Sequence, residues 1–320
     1  MKVIEVGTDR KLLWTEVPDP VRKETEVLVE IHAAALNRAD LLQRAGKYPP
    51  PSGAPEWMGL EIAGVVTSVG SEAGTRWKPG DRVCALLGGG GYAEQVVLQP
   101  DMLLPVPGDL SLVEAASLPE AFATAYLNLC IEGGLRAGET VLVQAGASGL
   151  GIAAIQLARA FGARVITTVG SPEKAEAVRR LGADIVVERH RDDLAAVLDS
   201  HPADIALDCV GGESLAHCIE RLAPGGRWIL IATLGGEFAE IPLRPILKRG
   251  IRLIGSTLRS RPPAMKARIL RELEERVWPK FASGEIHPVI HAVFPIQRAE
   301  EAHAVLERSE NIGKVVLEVR

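Results

Sequence analysis

Residues 139–162 read Glu139-Thr-Val-Leu-Val-Gln-Ala-Gly-Ala-Ser-Gly-Leu-Gly-Ile-Ala-Ala-Ile-Gln-Leu-Ala-Arg-Ala-Phe-Gly162. A β-rich apolar run leads into a glycine-rich turn, and an amphipathic helical pattern follows, closed by Gly162. That is the signature of a dinucleotide pyrophosphate site. A strand carries the chain to the turn, glycines let the backbone approach a diphosphate, and the first helical amides aim their unpaired N–H groups at the anion. The turn departs from G-x-G-x-x-G, with serine in place of the middle glycine, and its candidate contacts are Gly146, Ser148, Gly149, Leu150 and Gly151. By itself the same turn also fits a strand-to-helix connection that binds nothing.

Outward from this point strands and helices alternate. Apolar runs at 141–145, 165–169, 185–187, 205–210, 228–232 and 251–255 are separated by helix-length segments, which predicts an α/β unit with a doubly wound, parallel, six-stranded sheet. Ser171 is placed to cap a helix starting at Pro172, and Gly182 to close it. Residues 1–118 have another texture, with alternating stretches such as Val27-Leu28-Val29-Glu30-Ile31 and many Gly and Pro breaks, which predicts a mostly antiparallel β domain. The tail, 262–320, returns to a helix at 264–277 and short strands at 291–294 and 315–319. Too small to bury a core alone, it is expected to complete the β domain. The dinucleotide domain, 119–261, is then an insertion, with the ligand cleft expected between the two.

Composition narrows the class. With 320 residues, 47% hydrophobic and 24% charged, the chain can bury a large core, and a net charge of −5 speaks against a phosphate-tracking nucleic-acid surface. The opening Met1-Lys2-Val3-Ile4-Glu5 reads as a strand, not as an export signal, so a cytoplasmic location is expected. The uncharged stretch from Thr140 to Ala158 contains Gln144, Ser148, Gln156 and several glycines, and reads as strand, turn and helix, not as a membrane span. Cys84, Cys130, Cys209 and Cys218 show no C-x-x-C pair, so each is expected to be a small buried hydrophobe, with neither a disulfide nor cysteine catalysis.

Together with the glycine turn, five segments carry a family resemblance. They are Ala35-Leu36-Asn37-Arg38-Ala39-Asp40, Gly59-Leu60-Glu61-Ile62-Ala63-Gly64, Pro119-Glu120-Ala121-Phe122-Ala123-Thr124-Ala125-Tyr126, Leu258-Arg259-Ser260-Arg261 and Asn311-Ile312-Gly313-Lys314. Over nearly its full length the chain resembles the medium-chain dehydrogenase/reductase superfamily, and within it the zinc-free quinone oxidoreductase branch with its p53-inducible quinone oxidoreductase-like members. The resemblance implies a GroES-like catalytic domain, a Rossmann domain, and a homodimer joined through Rossmann sheets.

In the zinc alcohol dehydrogenases of that superfamily a cysteine, a histidine and a second cysteine hold the catalytic metal, and the matching positions here look like Asn37, Leu60 and Glu120. Leucine cannot ligate zinc, and the soft and borderline donors that select the ion are gone, so no metal is expected. Without a Lewis acid the acceptor should already be electrophilic, either a quinone or an α,β-unsaturated carbonyl. Tyr48 matches the tyrosine at the mouth of the nicotinamide site. It either contacts cofactor or substrate, with its phenol a possible proton donor, or orders the proline loop that follows. Asn37 and Asp40 are the other polar groups expected near the nicotinamide ring, Asp40 more as a structural residue.

For the coenzyme, no Asp or Glu ends the second strand, Thr167-Thr168-Val169-Gly170-Ser171, where an acid would accept the ribose hydroxyls of NAD. Gly170 and Ser171 leave space there and Lys174 supplies a cation for a 2′-phosphate, which points to NADPH; the alternative for Lys174 is a solvated helix lysine. In place of an aromatic after the third strand stand Arg189 and His190, either of which could serve the adenine end or belong to a solvated charge run. By resemblance, Thr124, Leu234, Gly235, Thr257, Leu258 and Arg259 are further cofactor contacts. Arg259 and Arg261 fit interdomain or dimer salt bridges equally well. Three functions follow: an NADPH-dependent quinone oxidoreductase, an enoyl reductase, or a cofactor-binding sensor or RNA-binding protein with little turnover.

Overall fold

Strand Thr140–Val143, which carries the glycine turn, lies inside a six-stranded sheet in the computed structural model, which describes residues 1–320. The sheet order is Ile185–Glu188, Arg164–Val169, Thr140–Val143, Ile205–Asp208, Arg227–Leu230 and Arg252–Gly255, every pair parallel. The chain works outward one way from Thr140–Val143 and then returns beside it at Ile205–Asp208. That reversal is the switch point at which doubly wound sheets bind ligands. Val141, Leu142, Val143, Val165, Ile205 and Ala206 are wholly buried, as strands covered on both faces must be. Helix Gly149–Ala160 buries everything from Gly151 to Ala158.

Three strands end earlier than their apolar runs. Ala145 turns left-handed, at φ +53°, and stops the first strand at Val143. After the fourth, the buried Asp208 carboxylate accepts the amides of Val210 (2.6 Å) and Gly211 (3.1 Å) and the indole N–H of Trp228 (2.8 Å), so the chain bends away at Asp208. The fifth closes at Leu230. The sixth strand, Arg252–Gly255, forms one edge of the sheet and is largely exposed.

This unit spans Thr124–Leu258; the other joins Met1–Ala123 to Arg259–Arg320. The limits differ from the expected 118/119 and 261/262 for identifiable reasons. The Glu120 amide is tied to Glu61, Phe122 packs edge-on to Phe281 at 5.1 Å, and Arg259 bonds to Gln43, Tyr48 and Gly88, so these short stretches belong with the β-rich unit.

Its main sheet runs Ile290–Pro295, Lys314–Glu318, Val27–Ala35, Glu61–Val69, Arg82–Leu86 and Leu103–Pro105, with Gln95–Leu98 also paired to Val27–Ala35. Only the first pair is parallel. The tail thus contributes two strands, and Lys314–Glu318 lies antiparallel to Ala33–Ala35. None of the four cysteines is in a disulfide; Cys84 and Cys218 are buried, whereas Cys130 and Cys209 are only partly so, contrary to the expectation for all four. No helix is long and apolar enough to cross a membrane, and the stretch from Thr140 to Ala158 is strand, turn and helix.

Candidate active site

The nucleotide turn is shaped by missing side chains. A Cβ on Gly146 would lie 2.0 Å from Thr167 Oγ1, and one on Gly151 would lie 2.4 Å from the carbonyl of Ala145. Both positions therefore require glycine. Thr168 fixes the turn from the neighbouring strand: its Oγ1 accepts the Ala145 amide (3.0 Å) and its carbonyl accepts that of Gly146 (2.9 Å). Ser148, the residue that replaces the middle glycine, is the helix N-cap and accepts the Gly151 amide at 3.0 Å. Ser148, Gly149 and Leu150 remain partly exposed at the helix start. A backbone cradle that a Cβ would fill, at the positive end of a helix, fits a diphosphate.

At the end of the second strand, Ser171 Oγ accepts the Lys174 amide at 3.3 Å, placing Lys174 in the first turn of helix Pro172–Arg180. The Arg189 guanidinium lies over Gly170, 3.2 Å from where a Cβ would stand, and its Nε donates to His190 Nε2 at 3.2 Å. Gly170 and Arg189 are thus brought together next to Ser171. Farther along, Gly235 donates its amide to Val210 (2.7 Å) beside the exposed Leu234. Thr257 is exposed, whereas Leu258 is buried. The Thr124 carbonyl accepts Asn128 Nδ2 at 2.8 Å.

In the β-rich unit, Asn37 opens onto a buried ionic cluster. Its Nδ2 donates to Glu61 Oε1 (3.0 Å) and its Oδ1 accepts from Lys314 Nζ (2.8 Å). Lys314 Nζ also meets Glu61 Oε1 at 2.5 Å and the Leu36 carbonyl at 2.7 Å. Glu61 is 0% exposed, and its other oxygen accepts the Glu120 amide at 2.9 Å. Asp40, 1% exposed, takes the amides of Asn37 (2.7 Å) and Gly59 (3.1 Å). Burial raises its acid to about 6 against those two bonds, the Lys314 charge and Tyr92. Both carboxylate oxygens of Asp40 thus hold backbone, which makes it a structural anchor of helix Arg38–Arg44 and not a group facing a ligand.

Tyr48 is half-buried, with the Arg259 guanidinium 5.1 Å from its ring centre. Arg259 was expected at the cofactor or in an ion pair; its nitrogens donate to Gly88 O (2.8 Å), Tyr48 O (3.3 Å) and Gln43 Oε1 (2.7 Å), all in its own unit. Burial raises the Tyr48 phenol, Glu120 adds to the rise, and Arg259 opposes it. Glu120, at the start of helix Pro119–Tyr126, is partly exposed, and burial pushes its acid up to about 8 with help from the Glu61 charge.

Sequence reasoning assigned no role to Glu61 or Lys314. The available signal was a charged residue inside the apolar run Leu60-Glu61-Ile62-Ala63, since a buried charge needs a partner. The donor set does not fit zinc. Leu60 is hydrocarbon, the Asn37 amide is engaged at both ends, and no group of three His, Cys, Asp or Glu side chains could hold a metal ion.

Residues 23–108 match the family model described as alcohol dehydrogenase GroES-like domain, and residues 149–275 the one described as zinc-binding dehydrogenase. The chain is 33% identical to a quinone oxidoreductase-like protein 2 homolog of Nematostella vectensis, over 92% of this chain and 82% of that protein. Among solved structures, the quinone oxidoreductase of Thermus thermophilus, described also in complex with NADPH, superposes with TM-score 0.85 at 33% identity, covering 100% of both chains. The JamJ enoyl reductase superposes with TM-score 0.86 at 26% identity over 99% of this chain and 98% of that one.

Proposed function

The chain belongs to the medium-chain dehydrogenase/reductase superfamily, among quinone oxidoreductase-like relatives, and from that premise we propose that it is a zinc-independent NADPH:quinone oxidoreductase. That it is an oxidoreductase with a Rossmann unit for a nicotinamide cofactor follows from the family; the phosphorylated coenzyme and the quinone are our reading. The observation that carries it is the end of the second strand, where no carboxylate ends the strand, Arg189 lies over Gly170, and Lys174 stands in the first turn of the next helix, a turn whose one acid, Glu173, is exposed. Such a corner favours a 2′-phosphate, whereas an acid there would repel it.

Gly146, Ser148, Gly149, Leu150 and Gly151 would hold the diphosphate, Lys174 and Arg189 the 2′-phosphate and adenine end, and Thr124, Leu234, Gly235, Thr257 and Leu258 the remainder. When bound, NADPH supplies a hydride from C4 of its nicotinamide. Tyr48, stiffened by Arg259, would position the acceptor. Asn37, locked between Glu61 and Lys314, would line that site without donating a proton. A quinone needs no metal to accept hydride, which agrees with a donor set unsuited to zinc.

A second reading, reduction of an activated double bond, is favoured by the likeness to the JamJ enoyl reductase. The test is NADPH oxidation against ortho- and para-quinones with enones alongside. Turnover on quinones supports the first reading, turnover on enones alone the second, and tight NADPH binding with turnover on neither discredits both. For assembly, strand Arg252–Gly255 offers an open edge near the exposed Leu243, Leu247 and Leu253, which supports a homodimer formed through this edge. Light scattering should give twice the chain mass, and Leu253→Lys should halve it.

A further inference from the structure

Glu120 starts its helix against the buried Glu61 carboxylate, whose charge Lys314 matches. Lys314 stands 2.5 Å from Glu61, and the Glu120 amide donates to the opposite Glu61 oxygen. Asp40 is fixed by two amides. Lys266, on helix Pro263–Arg276, donates to the Arg259 carbonyl at 2.6 Å. A second negative charge next to the buried Glu61 carboxylate is disfavoured by like-charge repulsion, so the cluster favours a proton on Glu120. Glu61 and Asp40 are sealed, whereas Glu120 is partly exposed, which makes it the one acid of the cluster that a ligand can reach. Lys266, Tyr48 and Arg259 are further charged or titratable neighbours of Glu120.

Resting on the reductase reading above, we propose that Glu120 is a catalytic residue: the acid that protonates the acceptor's oxygen as the acceptor is reduced. Hydride brings two electrons and one hydrogen to the acceptor and leaves a negative charge on its oxygen. The Glu120 O–H bond then breaks, its proton forms the O–H bond of the hydroquinone or enol, and the electron pair stays on the carboxylate. Water restores the proton before the next turnover. Burial first, then the Glu61 and Asp40 charges, push this acid up to about 8, against Lys314 and Lys266. The acid form therefore prevails at pH 7 and is lost as pH rises through 8.

The experiment compares wild type, Glu120→Gln and Glu120→Asp in kcat–pH profiles on one quinone and one enone, together with infrared titration of the cofactor-free proteins. Expected are a fall in wild-type kcat above about pH 8 and a loss of that limb in Glu120→Gln, with kcat reduced about 10²-fold or more on the enone. The loss on the quinone should be smaller, because a hydroquinone anion is a weaker base than an enolate. A merely structural role would lower both substrates alike. The infrared band of a protonated carboxyl, present at pH 7 and gone by pH 9, should be missing from Glu120→Gln. Glu120→Asp, which keeps a proton, should keep the pH limb and so decides the matter if Glu120→Gln does not fold. Wild-type turnover with an unchanged profile in Glu120→Gln, or infrared evidence that Glu120 is ionised at pH 6, overturns the proposal and leaves the reductase reading standing. NADPH binding with no wild-type turnover on any acceptor overturns the reading itself.

Discussion

The nucleotide turn and the ionic cluster around Glu61 are polar sites built by opposite means. In the turn, consecutive residues from Ala145 to Gly151 shape a backbone surface, and what matters is which side chains are absent. In the cluster, charged side chains matter, and Lys314 reaches an Asn37 that lies 277 residues away. The first site is local and tolerates no added atom. The second is assembled only by the completed fold, and tolerates no unmatched charge.

If that contrast is right, the largest effect belongs to the cluster. Lys314→Met leaves the fully buried Glu61 carboxylate without its cation, and should cost about 3–5 kcal/mol of stability in denaturant titration. Glu61→Gln combined with Lys314→Met removes the stranded charge, and should recover most of the loss. A double variant no more stable than Lys314→Met would show that the lysine stem, not the ion pair, is what the fold needs. Next comes Gly151→Ala, whose methyl would meet the Ala145 carbonyl at 2.4 Å. Overpacking of this kind costs about 1–3 kcal/mol, and displacement of the turn should weaken NADPH at least about tenfold by fluorescence titration. An unchanged Kd would mean that the diphosphate does not use this turn.

The same contrast explains what could be read in advance. The six parallel strands were visible because apolar runs bounded by glycine repeat along the chain, and the turn because its spacing is the site. Strand ends were misjudged where a single residue overrides the pattern, Ala145 by its left-handed backbone and Asp208 by capturing two amides. The domain limits slipped by a few residues because the anchors of 119–123 and 259–261 are long-range bonds to Glu61 and Gly88. Glu61 and Lys314 were seen as motif letters without a role, since no spacing in the sequence says that the two meet. Arg259 was legible as a charge near the site, but its partners are carbonyls and an amide oxygen, which leave no mark in a sequence.

A smaller effect tests the coenzyme corner. Lys174→Glu places a carboxylate at the first turn after Ser171, and should raise the NADPH KM about tenfold, or ~1.4 kcal/mol, while leaving NADH nearly unchanged. Equal effects on both coenzymes would remove Lys174 from any role at the 2′-phosphate. Arg189→Ala should then add to the discrimination, because its guanidinium stands over Gly170 at the end of the same strand.

The smallest effect is expected at Tyr48, and it sets the two halves of the proposal against each other. Burial and the neighbouring Glu120 both hold its phenol above the ordinary tyrosine value, so near neutrality it is a weaker proton donor than a carboxyl titrating near 8. Tyr48→Phe keeps the ring on which the Arg259 guanidinium rests, and removes only the hydroxyl. The expected loss in kcat is within about fivefold, less than ~1 kcal/mol. A fall of a hundredfold or more, with the limb above pH 8 retained, would transfer the proton to Tyr48 and leave Glu120 as the group that sets the charge around it.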